Sequence, residues 1–266
     1  MAFFVSPDGV RLHYEIEGSG PPMVLHLGAG ADSDLWRAAG YVERLSSTYT
    51  CVLFDHRGHG KSDHPLSLEA NHIDRYAADV AALVAHLGYS SVAFFGWSNG
   101  VAVGFKAAQD HPEMFNSLVL FGGIGRRATP EQIAQSIAER LPLIRQKGWW
   151  YLLEQMQAAE KIPVPEWFLD RVVRSDTGPW IAYTEARKDW SWSPWDAMPL
   201  ISAPTLLLAG ELEDPEDILA EVAAEMPDAT RIRVPEREHI NAFLYSDFVV
   251  PRVLEFLSTA TPQATG

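Results

Sequence analysis

Gly96-Trp97-Ser98-Asn99-Gly100 sets a serine midway between two glycines. At average composition that pattern turns up by chance in about one chain of this length in ten, so its position must carry the argument. It follows the apolar run Val92–Phe95 and precedes a helical stretch from about Asn99 to Asp110. A sharp strand-to-helix turn pushes its middle side chain out at the sheet edge, and larger residues two places away would collide. Ser98 then sits at a helix N-terminus, where free N–H groups favour negative charge. A plain serine N-cap has the same spacing, so the reading depends on finding a base and an acid. Of nine histidines, His239 is best placed, after Val234-Pro235 and before the last helix. His13 in a hairpin and His86 on an amphipathic helix need only packing roles. His56 and His59 lie in the glycine-rich turn Asp55–Ser62, without the cysteine or acidic partners of a metal site. The turn 210–215 offers three carboxylates, of which Glu211 reads as solvated loop. Serine, acid and histidine in that order suit a hydrolytic site on a parallel sheet. Oxyanion donors would be the N–H of Asn99 and, from the turn His26–Gly30, that of Ala29.

Such groups need a sheet to hold them. Two strands flank Pro7-Asp8-Gly9; short apolar runs then recur at 23–27, 50–54, 92–95, 118–121, 204–209 and 231–234. Amphipathic helices are expected between them, at 34–46, 70–87, 99–110, 216–226 and 247–258. Short buried strands alternating with helices indicate a parallel sheet covered on both faces. The alternation stops between about Gly125 and Leu200, which holds seven of the nine tryptophans. The reading is one α/β core, 1–124 and 203–266, with a helical cap at 125–202. The last residues, TATPQATG, read as a frayed tail.

Composition narrows the partners. With 266 residues, 47% hydrophobic and 21% charged, the chain suits a folded domain and not a disordered one. One cysteine permits no intrachain disulfide. A formal charge of −14 opposes nucleic acid, and no apolar run is long enough to span a membrane. The N-terminus lacks a basic segment before its short apolar run, so a cytoplasmic protein is expected.

In these motifs the sequence resembles the α/β-hydrolase family over nearly its whole length. The matching pieces are His26 with its glycine loop, Asp55-x-Arg57-Gly58-x-Gly60-x-Ser62, the Gly96–Gly100 turn, His111-Pro112-Glu113, the acid turn 210–215 and His239. It looks most like the small cofactor-free serine members: carboxylesterases, enol-lactone hydrolases, carbon–carbon bond hydrolases and non-haem haloperoxidases. The resemblance implies an eight-stranded, mostly parallel sheet with the cap over the active site. Epoxide hydrolases and haloalkane dehalogenases share the Asp55–Ser62 motif but use an aspartate nucleophile, which Ser98 argues against. Three positions depart from the common pattern. Leu27 follows His26 where glycine is frequent, leaving Gly28 or Ala29 as second oxyanion donor. Glu238 precedes His239, where its carboxylate would raise the imidazole's proton affinity. The acid by spacing is Glu213, whereas the aspartate-before-proline rule selects Asp214; Asp214 is chosen as the usual side chain.

The expected activity is hydrolysis of a small or medium neutral ester or lactone by Ser98, His239 and Asp214, with no metal or organic cofactor. The partner is then a small-molecule substrate, with neither nucleic acid nor membrane involved, and a homodimer is compatible with an apolar cap. Trp97 and the cap tryptophans would line the pocket. Arg126, Arg127, Arg171, Arg174 and Arg187 are the bases available to offset the acidic field locally. Carbon–carbon bond hydrolysis, acyl transfer and ligand binding without turnover are the alternatives on the same fold.

Overall fold

Apolar runs too short for helices make the centre of the sheet. In the computed structural model, which describes residues 2–214 and 216–260, they form β3 (Pro22–His26), β4 (Thr50–Asp55), β5 (Val92–Trp97), β6 (Phe115–Phe121) and β7 (Thr205–Gly210). The hairpin strands β1 (Ala2–Val5) and β2 (Arg11–Glu17) close one edge and β8 (Ala229–Val234) the other. The order is β1-β2-β4-β3-β5-β6-β7-β8. Only the pairings made by β2 are antiparallel. β5 and β7 are buried at every position, as strands covered on both faces must be.

Side chains alternate between two cores. Val24, Val52, Phe94 and Leu120 join one, with helices α3 (Ile73–His86), α4 (Asn99–Asp110) and α10 (Ile218–Glu225). Leu25, Leu53, Phe95 and Val119 join the other, with α1 (Asp34–Ala38), α2 (Tyr41–Leu45), α11 (His239–Leu244) and α12 (Ser246–Ala260). The single helix expected at 34–46 is two, because Gly40 takes a left-handed φ of 79° between them. Between β6 and β7 lie α5 (Pro130–Lys147), α6 (Trp149–Ala159), α7 (Glu166–Val173), α8 (Thr177–Ala186) and α9 (Pro194–Ala197), with no strand among the described residues. Thr259 and Ala260 of the expected frayed tail end α12; 261–266 lie outside the described residues. Among the described residues no helix is long and apolar enough to cross a membrane.

The motif after β4 is structural. The fully buried Arg57 side chain donates two hydrogen bonds of 2.7 Å to Asp79 on α3 and others to Asp8 (2.8 Å) and the Ala70 carbonyl (2.7 Å). Asp55 accepts from His13 Nδ1 (2.9 Å), Ser33 N (2.7 Å) and Lys61 N (3.0 Å). These contacts pin the turn on which His59 sits. Removing one partner of a buried pair leaves the other charge uncompensated. Asp79→Ala is therefore expected to cost about 3 kcal/mol in urea unfolding, the low end of the usual range because Asp8 still pairs with Arg57. A loss below about 1 kcal/mol would contradict this account of the motif.

Candidate active site

Ser98 is held at φ 56° and ψ −117°, outside the regions most side chains favour. Backbone strain of that kind costs about 1–3 kcal/mol and persists where surrounding structure over-determines it. Two close approaches do so here. A Cβ on Gly96 would lie 2.5 Å from the Gly100 carbonyl oxygen, and one on Gly100 would lie 2.5 Å from that of His26. The turn therefore admits no side chain at either position. The Ser98 hydroxyl emerges at the C-terminal edge of the sheet, beside the loops following β3, β7 and β8.

His239 reaches it from the first residue of α11. Its Nε2 lies 3.0 Å from Ser98 Oγ, and its Nδ1 lies 2.7 Å from Glu213 Oε1. The acid at the histidine is thus Glu213, and the choice of Asp214 is corrected. Both Asp214 oxygens are taken up at the start of α10, accepting from Ile218 N (2.7 Å) and Leu219 N (3.0 Å). Glu213 also accepts from Gly123 N at 3.1 Å, which fixes its carboxylate. Burial works against the imidazolium, but the charge and hydrogen bond of Glu213 outweigh it and raise the His239 pKa. Burial likewise disfavours the Glu213 carboxylate, yet its partners hold that pKa below the usual value.

A second carboxylate, Glu160 at the end of α6, also favours the His239 imidazolium. It accepts from Ile240 N (2.8 Å), Asn241 N (3.3 Å) and Asn241 Nδ2 (2.7 Å), all in the first turn of α11. Glu238, expected to raise the proton affinity of His239, is buried, and among the described residues its Oε2 has no hydrogen-bond partner. Sequence offered no sign of Glu160, which lies about eighty residues from the helix it caps.

The glycine loop packs on Ser98. A Cβ on Gly28 would come within 2.6 Å of the Ser98 Cβ, while Ala29 and Asn99 line the cavity together with Ser98 and His239. His59 holds the loop from behind: its Nδ1–H donates to the Arg57 carbonyl (3.2 Å) and its Nε2 accepts from Gly30 N (2.9 Å). Burial drives both His59 and His26 down to about 4. Both are neutral at ordinary pH, as His59, which accepts the Gly30 N–H, must be; the His26 Nδ1–H donates to the Leu27 carbonyl (2.8 Å). Among the described residues no cluster of acidic, histidine and cysteine side chains has the makings of a metal site.

In front of Ser98 lies a cavity of about 480 Å³ whose walls are mostly aromatic and aliphatic. Trp149, Trp180, Trp190, Trp192 and Trp195 contribute, whereas Trp150 and Trp167 are exposed. Trp97 is not on the wall, contrary to expectation. It belongs to β5, where it is buried and its ring stacks on His239 (centroids 5.1 Å apart) and on Phe243 (4.2 Å). It supports the histidine from below. Tyr183, on α8, hydrogen-bonds the Asn99 side chain and so ties the helical segment to the turn.

Residues 21–148 match the family model described as alpha/beta hydrolase fold. A non-heme haloperoxidase of Rhodococcus erythropolis is 37% identical over 103 residues, which cover 38% of this chain and 35% of that protein. The human serine hydrolase BPHL is 31% identical over 120 residues, 44% of this chain and 41% of its own. The matched regions span about two fifths of these curated relatives. Among solved structures, a thermophilic esterase from Thermogutta terrifontis superposes with a TM-score of 0.81 at 22% identity, covering 98% of this chain and 99% of that one. An enol-lactonase from Burkholderia xenovorans gives 0.77 at 22% identity, covering 97% and 100%.

Proposed function

Given that this chain belongs to the α/β-hydrolase fold family, we propose that it is a serine hydrolase cleaving carboxylic esters or lactones through an acyl-enzyme. The observation that carries the reading is the hydrogen-bonded line Ser98–His239–Glu213 at the mouth of an apolar cavity. Ser98 Oγ attacks the carbonyl carbon while His239 Nε2 takes the hydroxyl proton, and Glu213 fixes the Nδ1–H tautomer and offsets the imidazolium charge. The N–H groups of Asn99 and Ala29 hold the oxyanion, each worth about 2.7–4 kcal/mol in the transition state. Collapse breaks the carbonyl–oxygen bond, and the leaving alcohol takes the proton back from Nε2. Water, deprotonated by the same nitrogen, then releases the acid. No step calls for a metal or organic cofactor. The helical segment 125–202 serves as a cap, and its aromatic wall favours neutral, apolar groups around the scissile carbonyl.

The test is product analysis with p-nitrophenyl butyrate and δ-valerolactone, with intact-protein mass taken during turnover. Hydrolysis with a transient acyl mass on the protein is expected. Release of ester products without any acylated species, or turnover only of carbon–carbon bonds or only with added acyl acceptors, would overturn the reading.

Glu160 adds a pH prediction. Burial raises the Glu160 pKa, but its partners are N–H donors that favour the carboxylate, and its charge helps raise the His239 pKa. The base form of His239 is needed for attack, so activity is lost as pH falls through that pKa. Glu160→Gln removes a charge that favours the imidazolium, leaving Glu213 and the nearby Glu238. The acid limb of kcat/KM is therefore expected to move to lower pH. An unchanged limb, or one moved to higher pH, would contradict the role.

A further inference from the structure

A second cavity, of about 220 Å³, adjoins the first and is walled by α5 and α8. The two share Ala128, Ile133, Arg140, Trp180 and Arg187. In a chain of formal charge −14, no aspartate or glutamate lines either one among the described residues. Four other arginines of this region sit beside carboxylates: Arg126 with Glu216, Arg145 with Glu185, Arg171 with Asp32 and Arg174 with Asp170. Among the described residues Arg127, Arg140 and Arg187 have no such partner within 4.0 Å; Arg127 lies 5.6 Å from the Trp195 ring centroid and lines neither cavity. Arg140 is exposed at the rim; Arg187 is half-buried with its guanidinium 5.7 Å from the Trp190 ring centroid. A stacked guanidinium keeps its edge N–H groups available for two parallel hydrogen bonds.

Gln132, Ser136 and Thr184 also line this cavity. The Thr184 Oγ1 and Trp180 Nε1 atoms are enclosed by protein, so an acceptor in the cavity meets the two guanidinium groups and the exposed Gln132 and Ser136 side chains. The place is separated from Ser98 by an aromatic span. Asn99 bonds Tyr183, whose ring stacks on Trp180 at 5.3 Å and meets Trp190 edge-on at 5.4 Å.

We propose that this second cavity is a carboxylate-binding subsite in which Arg140 and Arg187 hold the far end of the substrate. The substrate class is then an ester with one carboxylate, joined to the scissile carbonyl through a hydrophobic or aromatic spacer. This rests on the hydrolase reading for the identity of the bound molecule, although not for the binding itself. The surrounding negative charge disfavours dianions such as phosphate monoesters and leaves a single carboxylate as the anion best matched to two arginines.

The experiment separates the two readings by measuring binding without turnover. Ser98→Ala protein is titrated calorimetrically with 4-phenylbutyrate and with its neutral amide, 4-phenylbutyramide. The acid is expected to bind at least 10-fold more tightly than the amide, by an enthalpy that weakens with added salt. Adding Arg140→Gln and Arg187→Gln should bring that ratio close to one, with retention of the fold read from the melting temperature. In the parent enzyme, the kcat/KM ratio of mono-p-nitrophenyl adipate to p-nitrophenyl butyrate should fall by a similar factor in the double variant. Equal affinity for acid and amide, no binding of the acid at millimolar concentration, or a preference that survives both substitutions would overturn the subsite. Arginine-dependent binding of the acid by a parent that hydrolyses neither ester would uphold it and reject the hydrolase reading.

Discussion

Ser98→Ala is expected to lower kcat for p-nitrophenyl butyrate by about a million-fold, the scale on which loss of a serine nucleophile removes the covalent path. The oxyanion N–H groups remain, so a small residual rate above the uncatalysed reaction should persist. The fold should hardly notice. Alanine has a Cβ of the same reach, leaves the φ of 56° as it was, and gives up only a hydrogen bond between half-buried groups. Unfolding by urea should therefore shift by no more than about 0.5 kcal/mol. Residual activity within a hundred-fold of the parent would show that another group supplies the nucleophile.

Glu213→Gln is the second large effect. The carboxylate does two things for His239: it accepts the Nδ1–H, which leaves Nε2 free to take the serine proton, and it offsets the charge that forms. A glutamine of the same size keeps the contact but allows its NH2 to face Nδ1, which favours the wrong tautomer. A drop in kcat of about 10⁴-fold is expected. Asp214→Asn provides the contrast one residue away. Asp214 caps α10 through Ile218 N and Leu219 N. Its loss should appear as about 1 kcal/mol of stability, with kcat changed only a few-fold. The reverse pattern, with Asp214→Asn inactive and Glu213→Gln active, would reinstate the aspartate as the triad acid.

The adjacency of these two acids explains what was and was not legible in the sequence. The sheet was legible because a strand covered on both faces has to be apolar throughout, and Val92–Phe95 and Leu206–Leu208 are so. The turn at Ser98 was legible because its glycines answer to backbone atoms about 2.5 Å away, a constraint that leaves its mark at fixed spacing. Which of two neighbouring carboxylates faces His239 depends on the path of a single turn, and residue type does not encode that path. Trp97 was misread for a similar reason: it adjoins Ser98 in sequence, but the sharp turn sends Ser98 outward and leaves Trp97 under the histidine. Glu160, Tyr183 and Arg140 gain their meaning only from how the helical segment lies over the sheet. Their partners are 80 residues or more away, or consist of an empty space that no local pattern records.

The most direct test of the central claim is the intact-protein mass after incubation with a reactive alkyl fluorophosphonate, beside Ser98→Ala and Glu213→Gln. The reagent reports nucleophile activation and needs no knowledge of the natural substrate. The account predicts one adduct on the parent, on the peptide containing Ser98, none on Ser98→Ala, and labelling slowed by orders of magnitude in Glu213→Gln. A folded parent that stays unmodified, or one that is modified equally fast without Glu213, would contradict an activated Ser98–His239–Glu213 line.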